Sequence, residues 1–168
     1  MTNPEIDALL AERDIRHLIF RYCRGIDRLD FELVESVFWP DARLRYGAEQ
    51  SPAEFAAGGK LGLPLYALTQ HSVSNVIIEV DGDTAKGEAY CQARHRTAAK
   101  DGEPAKDFLW GGRYVDRYER RNGEWRISRR ICVHEWTKLE TVDGVWPNAA
   151  AFVQGNRTRA DVVYQANP

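Results

Sequence analysis

The chain has 168 residues, a length typical of a single domain that buries a core without disulfides or metal. Its formal net charge of -2, with acidic and basic residues interleaved throughout, excludes a basic face for nucleic acid or an anionic membrane. No apolar run approaches the roughly 18 residues of a membrane span, and the N-terminus is acidic where a signal peptide is basic and then apolar. We therefore expect a cytoplasmic domain whose partner is a small organic molecule.

The cysteines and histidines do not form a metal-binding pattern. Cys23, Cys91 and Cys132 are odd in number and widely spaced, so we expect them to be reduced core residues. The four histidines are scattered, and no HExxH, P-loop, GxGxxG, GxSxG or EF-hand motif occurs. The sequence predicts neither a metal nor a cofactor.

The first helix is predicted over residues 4 to 27, where apolar side chains recur at helical spacing. Thr2 or Asn3 is the expected N-cap, and Pro4 is tolerated in the first turn. This spacing makes the helix amphipathic, with one face available for a core. That face comprises Ile15, Leu18, Ile19, Tyr22 and Ile26.

Two shorter helices are predicted next. Asp30 is expected to cap one that ends near Trp39, because Pro40 disfavours helix in the residue before it. Its expected buried side chains are Leu33, Val37 and Phe38. After a strand at 42 to 47, the capping box that begins at Ser51 predicts a third helix, which should end near Gly58. Residues 61 to 70 give no clear pattern.

From His71 onward the apolar period changes from 3.6 to 2, which predicts strands. They cover roughly 71 to 80, 84 to 98, 107 to 121 and 124 to 138. Glycine-containing turns join them in an antiparallel order. The prediction is an α+β domain over residues 1 to 140, with three helices packed in a strongly curved mixed or antiparallel sheet that forms a cone with an internal pocket. Residues 141 to 168 are expected to form a lid or an oligomer-contact arm.

The strand registers remain open at this level. A two-residue turn at 122 to 123 would place Asp116 opposite Arg129, whereas a three-residue loop with a bulge would place Tyr114 opposite Arg130. At the turn over residues 81 to 83, only an odd loop would put four side chains on one face, namely His71, Cys91, Ala93 and His95. Periodicity does not choose between these registers.

Asp27 and His71 are the candidate reactive pair. Asp27 ends the first helix in phase with Phe20 and Cys23, so its carboxylate points toward apolar side chains and needs a partner. His71 opens the first long strand and could reach the helix end across the mouth of the cone. The carboxylate would then fix the imidazole tautomer while the other ring nitrogen removes a substrate proton. In the alternative, Asp27 caps the following turn and His71 is an ordinary core or surface histidine.

Four further side chains have two readings each. A buried phenol at Tyr22 is either an acid or a core aromatic with one hydrogen bond. Arg130 lies in mid-strand and is either a functional group or, as is common for such arginines, a solvated or paired side chain. His95 and His134 are likewise either functional or structural. Their own sequence patterns leave these choices open.

Four features together resemble the SnoaL-like group of the nuclear transport factor 2-like superfamily, over about residues 8 to 138. They are Tyr22-x4-Asp27, the phrase VFWPDA at 37 to 42, His71 at the first long strand, and the phrase GRYVDRYERRNGEWRI at 112 to 127. Within that group the chain is most similar to the lyase branch that includes scytalone dehydratase, bile acid 7α-dehydratase and hexachlorocyclohexane dehydrochlorinase. Those lyases use an Asp/His dyad as general base.

The resemblance implies roles for individual residues. Asp27 and His71 match the dyad, Tyr22 matches an assisting tyrosine, and Arg130 matches an arginine that helps an anion to leave. The implied pocket wall comprises Cys91, Ala93, Trp110, Tyr114, Cys132 and His134, with His95 extending the same face. These residues share a face only under the odd-loop registers, which the resemblance therefore selects. Leu44 stands where the dehydrochlorinase has a pocket tryptophan, so no exact substrate is inherited.

Two hypotheses of different classes follow. The first is a cofactor-independent lyase, of dehydratase or dehydrohalogenase type, that acts on a small hydrophobic cyclic substrate as a homodimer or homotrimer. An isomerase would use the same dyad. The second is a noncatalytic ligand-binding or accessory subunit, similar to the small subunits of aromatic ring-hydroxylating dioxygenases.

Overall fold

A computed structural model describes residues 4 to 144 and 146 to 165, so the predicted N-cap at Thr2 or Asn3 lies outside the described residues. Helices and strands divide the chain as predicted, with the helices mainly before the long strands. The helices are α1 (Pro4–Asp27), α2 (Phe31–Ser36) and α3 (Pro52–Gly62). The strands are β1 (Phe38–Tyr46), β2 (Ala48–Gln50), β3 (Leu68–Asp81), β4 (Thr84–Arg96), β5 (Lys106–Arg121) and β6 (Glu124–Thr141). Short 3-10 turns cover Leu63–Leu65, Ala149–Ala151 and Val162–Tyr164.

The predicted bounds of α1 are confirmed, and so is Asp30 as the N-cap of α2, where its carboxylate accepts from the Leu33 N–H at 3.1 Å. Val37 and Phe38 are buried as predicted, whereas Leu33 is only half-buried. The predicted end near Trp39 is wrong, because α2 ends at Ser36. Strand β1 begins at Phe38 and not at residue 42. Pro40 fits there because the ladder with β6 is irregular between Phe38 and Arg43.

The capping box that begins α3 is confirmed. Glu54 Oε2 accepts from the Ser51 N–H at 2.7 Å, and Ser51 Oγ accepts from the Glu54 N–H at 3.3 Å. The predicted end near Gly58 is wrong, because the helix continues to Gly62. Gly59 lets the helix pass close to α2, since a Cβ there would lie 2.6 Å from the Phe31 ring. This close packing offsets the low helix propensity of glycine.

The six strands form one sheet in the order β2-β1-β6-β5-β4-β3. Every neighbouring pair is antiparallel except β1 and β6, which are parallel, so the sheet is mixed. Residues of α1, α2 and the inner sheet face form one core, including Ile15, Leu18, Val34, Phe38, Leu44 and Ile127. The fold is therefore α+β, as predicted.

Both uncertain registers are set by bulges inside strands. At the 122 to 123 turn the hairpin begins with Arg121 opposite Glu124, as a two-residue turn requires, but the register shifts between Arg117 and Tyr118. Asp116 therefore faces Arg130, and neither predicted pairing is correct. The extra residue is Ser128 of β6, which an irregularity inside the strand accommodates.

The hairpin of β3 and β4 also combines a two-residue turn with a bulge inside a strand. Asp81 pairs with Thr84, so the turn has two residues and the predicted odd loop is wrong. A bulge at residues 75 to 76, where Asn75 has a φ of 46°, shifts the register by one and places His71 opposite Ala93. The predicted common face is thus formed by a bulge rather than by the loop.

The three cysteines are free, with Cys23 and Cys91 buried and Cys132 half-buried, as predicted. Within residues 4 to 144 and 146 to 165, no helix combines the length and apolar character needed to cross a lipid bilayer.

Candidate active site

Asp27 and His71 form a hydrogen-bonded pair. Asp27 Oδ1 lies 2.7 Å from His71 Nδ1, and Asp27 Oδ2 accepts from the His71 backbone N–H at 2.9 Å. The carboxylate thus holds both the ring and the main chain of the histidine. The side chain of Asp27 is 14 % exposed and that of His71 is 7 % exposed. This burial strengthens the hydrogen bond between them and fixes the orientation of the imidazole.

The pair forms where two elements meet. Asp27 is the last residue of α1, and His71 lies near the start of β3, which is the edge strand of the sheet and packs along α1. Leu29, with a φ of 55°, turns the chain away after the helix and so leaves the Asp27 carboxylate free to reach β3. The sequence supplies both side chains, but packing of α1 on β3 brings them together.

A cavity of about 970 Å³ extends from His71 into the cone between α3 and the sheet. This size is at the upper end of the roughly 300–1,000 Å³ range of small-molecule sites. Of the predicted site residues, the lining includes Tyr22, His71, Ala93, His95, Trp110, Tyr114 and Cys132. Asp27 lies behind His71 and lines a separate crevice against α1, which suits an orienting role.

Arg130 does not line the cavity. Its side chain is fully buried and bonds Asp116 through Nε at 2.9 Å and Nη2 at 2.6 Å. The guanidinium packs against the rings of Tyr22 and Tyr114, with Cζ at 4.4 and 4.2 Å from their centroids. The resemblance implies that Arg130 helps an anion to leave, but the buried guanidinium lies against two cavity-lining rings and is not itself part of the lining.

His134 also departs from its predicted place. It lies opposite Gly112, next to the second β6 irregularity, and its side chain is exposed and not part of the cavity lining. Trp110 and Tyr114 do line the cavity and stack with ring centroids 6.3 Å apart. Gly112 lies between them, and a Cβ there would be 2.3 Å from the Trp110 ring. Any larger residue at position 112 would therefore collide with the Trp110 indole in its present position.

Tyr46 was missed from the sequence. Its hydroxyl lies 2.8 Å from that of Tyr22, and both side chains line the cavity. Burial raises the pKa of both phenols, with a smaller opposing effect from the nearby Arg130 guanidinium, so both stay protonated at neutral pH. An aromatic at the end of a strand gave no signal, because its partner is 24 residues away.

The α3 wall of the cavity was missed as well. Gly58 and Gly62 lie four residues apart, line the cavity, and have no atom within 4 Å of a Cβ built on them. Glycines inside a helix are unfavourable by about 1 kcal/mol each, and residues four apart lie on the same helix face. The spacing of these two glycines could therefore have predicted a helix face without side chains beside a cavity. Phe55 and Tyr66 complete the aromatic lining on this side.

His95 is the second histidine of the cavity. Its ring centroid lies 5.5 Å from that of His71 and 5.1 Å from that of Tyr66. Burial, and then the neighbouring His71, lower the pKa of His95 to about 4, while the Asp27 carboxylate opposes this effect. His95 is therefore a neutral hydrogen-bonding group at pH 7. Among the described residues, no three His, Cys, Asp or Glu side chains group as a metal site would require.

The low pKa of His95 gives a pH dependence of stability. The unfolded chain binds a proton at His95 below pH 6.5, whereas the folded chain does so only near pH 4, so the free energy of unfolding falls as the pH drops through this window. With solvent screening, this amounts to about 2 kcal/mol. His95→Asn should remove that part of the loss, which urea unfolding at pH 7 and pH 4.5 would measure. An equal loss in both proteins would contradict it.

Comparisons with known proteins give the family and the fold of the chain. The model of the SnoaL-like domain matches residues 7–131. An uncharacterized protein of Mycobacterium tuberculosis is 28% identical over 125 residues, which is 70% of this chain and 81% of the relative. Hexachlorocyclohexane dehydrochlorinase LinA, type 2, superposes with a TM-score of 0.74 at 21% identity, over 86% of this chain and 99% of that one. A provisionally named scytalone dehydratase of Novosphingobium aromaticivorans superposes with a TM-score of 0.69 at 23% identity, over 84% of this chain and 95% of that one.

A mixed, curved sheet wrapped around three helices, with a cavity between them, defines the nuclear transport factor 2-like class of α+β cones. Because the domain model covers most of the chain, the protein belongs to the SnoaL-like family. The two superposed structures are under 25% identical to this chain and show the shared fold.

Proposed function

We propose that this protein is a cofactor-independent lyase, of dehydratase or dehydrohalogenase type, in which His71 oriented by Asp27 removes a proton from a small hydrophobic cyclic substrate. The observation that carries the proposal is the two-point hold of the Asp27 carboxylate on His71 beside an aromatic cavity. The solved dehydrochlorinase of the same fold supports this class of reaction as a precedent.

The hydrogen-bonding pattern of Asp27 determines which nitrogen of His71 is basic. An ionised carboxylate only accepts hydrogen bonds, so Nδ1 of His71 carries the proton that it donates to Oδ1. The lone pair then lies on Nε2, which acts as the base. When Nε2 takes the substrate proton, the adjacent carboxylate stabilises the imidazolium.

The leaving group requires a donor on another wall of the cavity, and the Tyr22–Tyr46 pair supplies one. The C–H electrons form the new double bond while hydroxide or halide departs with its bonding pair. A protonated phenol donates a hydrogen bond to the departing group, and in a dehydration His71 returns its proton to complete water. Arg130 acts through the ring of Tyr22, by opposing accumulation of positive charge there and favouring negative charge.

The lining favours an uncharged substrate. Apart from the two histidines, Lys138 is the one ionisable basic residue among the described lining residues, and it is paired with Glu140 at 2.5 Å. Apart from Thr97, Thr137 and Cys132, the other walls are aromatic, aliphatic or glycine, which suits a flat or cyclic hydrocarbon frame with one or two polar groups.

The test is a panel of uncharged cyclic alcohols and halides with an acidic C–H beside the leaving group, followed by mass spectrometry of the products. Wild-type protein should form an alkene, and His71→Gln should reduce the rate by about 10²–10⁴-fold. His134→Gln, which changes an exposed histidine of the same sheet, should have no effect. A product of unchanged mass would indicate an isomerase, and full activity in His71→Gln would contradict the dyad. Binding without turnover would favour the accessory-subunit hypothesis.

A further inference from the structure

We propose that Arg157, in the segment after β6, is a positioning residue for the dyad. It ties the end of α1, the 3-10 turn Leu63–Leu65 and the start of β3 together around Asp27 and His71. This inference rests on the proposed function, but it concerns a residue that lies 86 positions after His71.

The guanidinium of Arg157 donates to backbone and side-chain oxygens of three different elements. Nη1 donates to the carbonyls of Leu63 at 3.0 Å and Tyr66 at 2.5 Å, and Nη2 donates to Thr69 Oγ1 at 3.2 Å. Nε approaches the Asp27 carbonyl at 3.4 Å. Thr69 is only 3% exposed, so the head group reaches into the interior rather than along the surface.

Arginine is the residue type that this place requires. The carbonyls at the end of α1 lack helical partners and carry a partial negative charge, which a cation stabilises. The guanidinium is a planar fork of five N–H donors, which can satisfy several fixed acceptors at once. The ammonium of lysine is a compact point charge and cannot span the same acceptors. Burial lowers the pKa of Arg157 and the nearby Asp27 carboxylate opposes this, so charge as well as geometry links Arg157 to the dyad.

The elements that Arg157 joins are those whose relative position fixes the dyad. Asp27 is the last residue of α1, and Thr69 lies two residues before His71 on β3. A small shift of β3 along α1 would lengthen both hydrogen bonds from the Asp27 carboxylate. Leu63 and Tyr66 line the cavity, so the same side chain also fixes one of its walls.

The rest of the segment is held by other contacts. Arg159 pairs with Asp30 at 3.1 Å, and Arg28 pairs with Asp161 at 3.3 Å. Arg159 lies two residues from Arg157 and its contact is with α2's N-cap rather than with the dyad. Arg159→Gln is therefore a matched control that removes one tail arginine and leaves the dyad contacts in place.

The experiment is proton NMR of the full chain, in which the Nδ1–H proton of His71 should give a downfield signal because it is held by a carboxylate. Arg157→Gln should lose this signal through exchange with water and should raise the pKa of His95, whose charged surroundings are His71, Asp27 and Arg157. Arg159→Gln should retain both. Arg157→Lys, which keeps the charge but not the fork, should retain the pKa of His95 and lose the Nδ1–H signal.

Retention of both readouts in Arg157→Gln would overturn the positioning role, as would equal loss of both in Arg159→Gln. If Arg157→Gln fails to fold, the split expected in Arg157→Lys tests the same claim. With a substrate available, Arg157→Gln should lower kcat by about 10²-fold, since misplacement of about 1 Å has that effect. The NMR readouts do not depend on turnover, so failure of the proposed lyase activity and failure of this inference are distinguishable.

Discussion

Asp27→Asn is expected to reduce turnover by about 10⁴-fold while leaving the fold intact, the magnitude seen when the orienting carboxylate of a catalytic histidine becomes an amide. Asparagine has the shape of aspartate but one acceptor in place of two. It cannot accept from both the His71 N–H and Nδ1–H, which Asp27 does at 2.9 and 2.7 Å. An amide N–H facing Nδ1 moves the ring proton to Nε2, which removes the base.

The measurement is kcat with the substrate found in the panel, together with the His71 Nδ1–H signal. Asp41→Asn is the control, because Asp41 is an exposed aspartate that is paired with Arg121 and lines a crevice to which neither Asp27 nor His71 belongs. It should leave both unchanged. Wild-type turnover in Asp27→Asn would show that His71 needs no orienting carboxylate, and the dyad mechanism would then fail.

Arg130→Met is expected to destabilise the protein by about 3–5 kcal/mol, because it leaves the carboxylate of Asp116 buried without its cation. Both side chains are fully buried, and the remaining Asp116 partner is the Tyr118 hydroxyl at 3.0 Å. The rings of Tyr22, Phe38 and Tyr114 also lose their contact with the guanidinium. Urea unfolding of wild type and variant at pH 7 measures the difference.

Two comparisons separate charge from packing in this prediction. Arg130→Met with Asp116→Leu removes both charges and should recover much of the loss, since an apolar pair of similar volume often replaces a buried ion pair without cost. Arg121→Met breaks surface ion pairs of a half-exposed arginine and should cost about 0–1 kcal/mol. A loss near that surface value in Arg130→Met would refute the structural role assigned to the pair.

Local features of the sequence determined the helices, their caps and the strands. The apolar stripe of α1, the Asp30 cap and the Ser51 capping box act within a few residues of themselves, so each could be predicted without tertiary information. The change of period at His71 likewise marked where the sheet continues. Helical phase and the start of the first long strand made Asp27 and His71 a candidate pair, and the resemblance implied the role of that pair.

Tertiary structure decided what depends on long-range packing. The bulges at residues 75 to 76 and at Ser128 chose the registers, and they leave no periodic signature because one extra residue is absorbed inside a strand. The same shift placed Arg130 against Asp116 behind the cavity wall rather than on it. Tyr46 bonds Tyr22, 24 residues away, and Arg157 bonds Asp27, 130 residues away. No local sequence pattern encodes contacts over such separations.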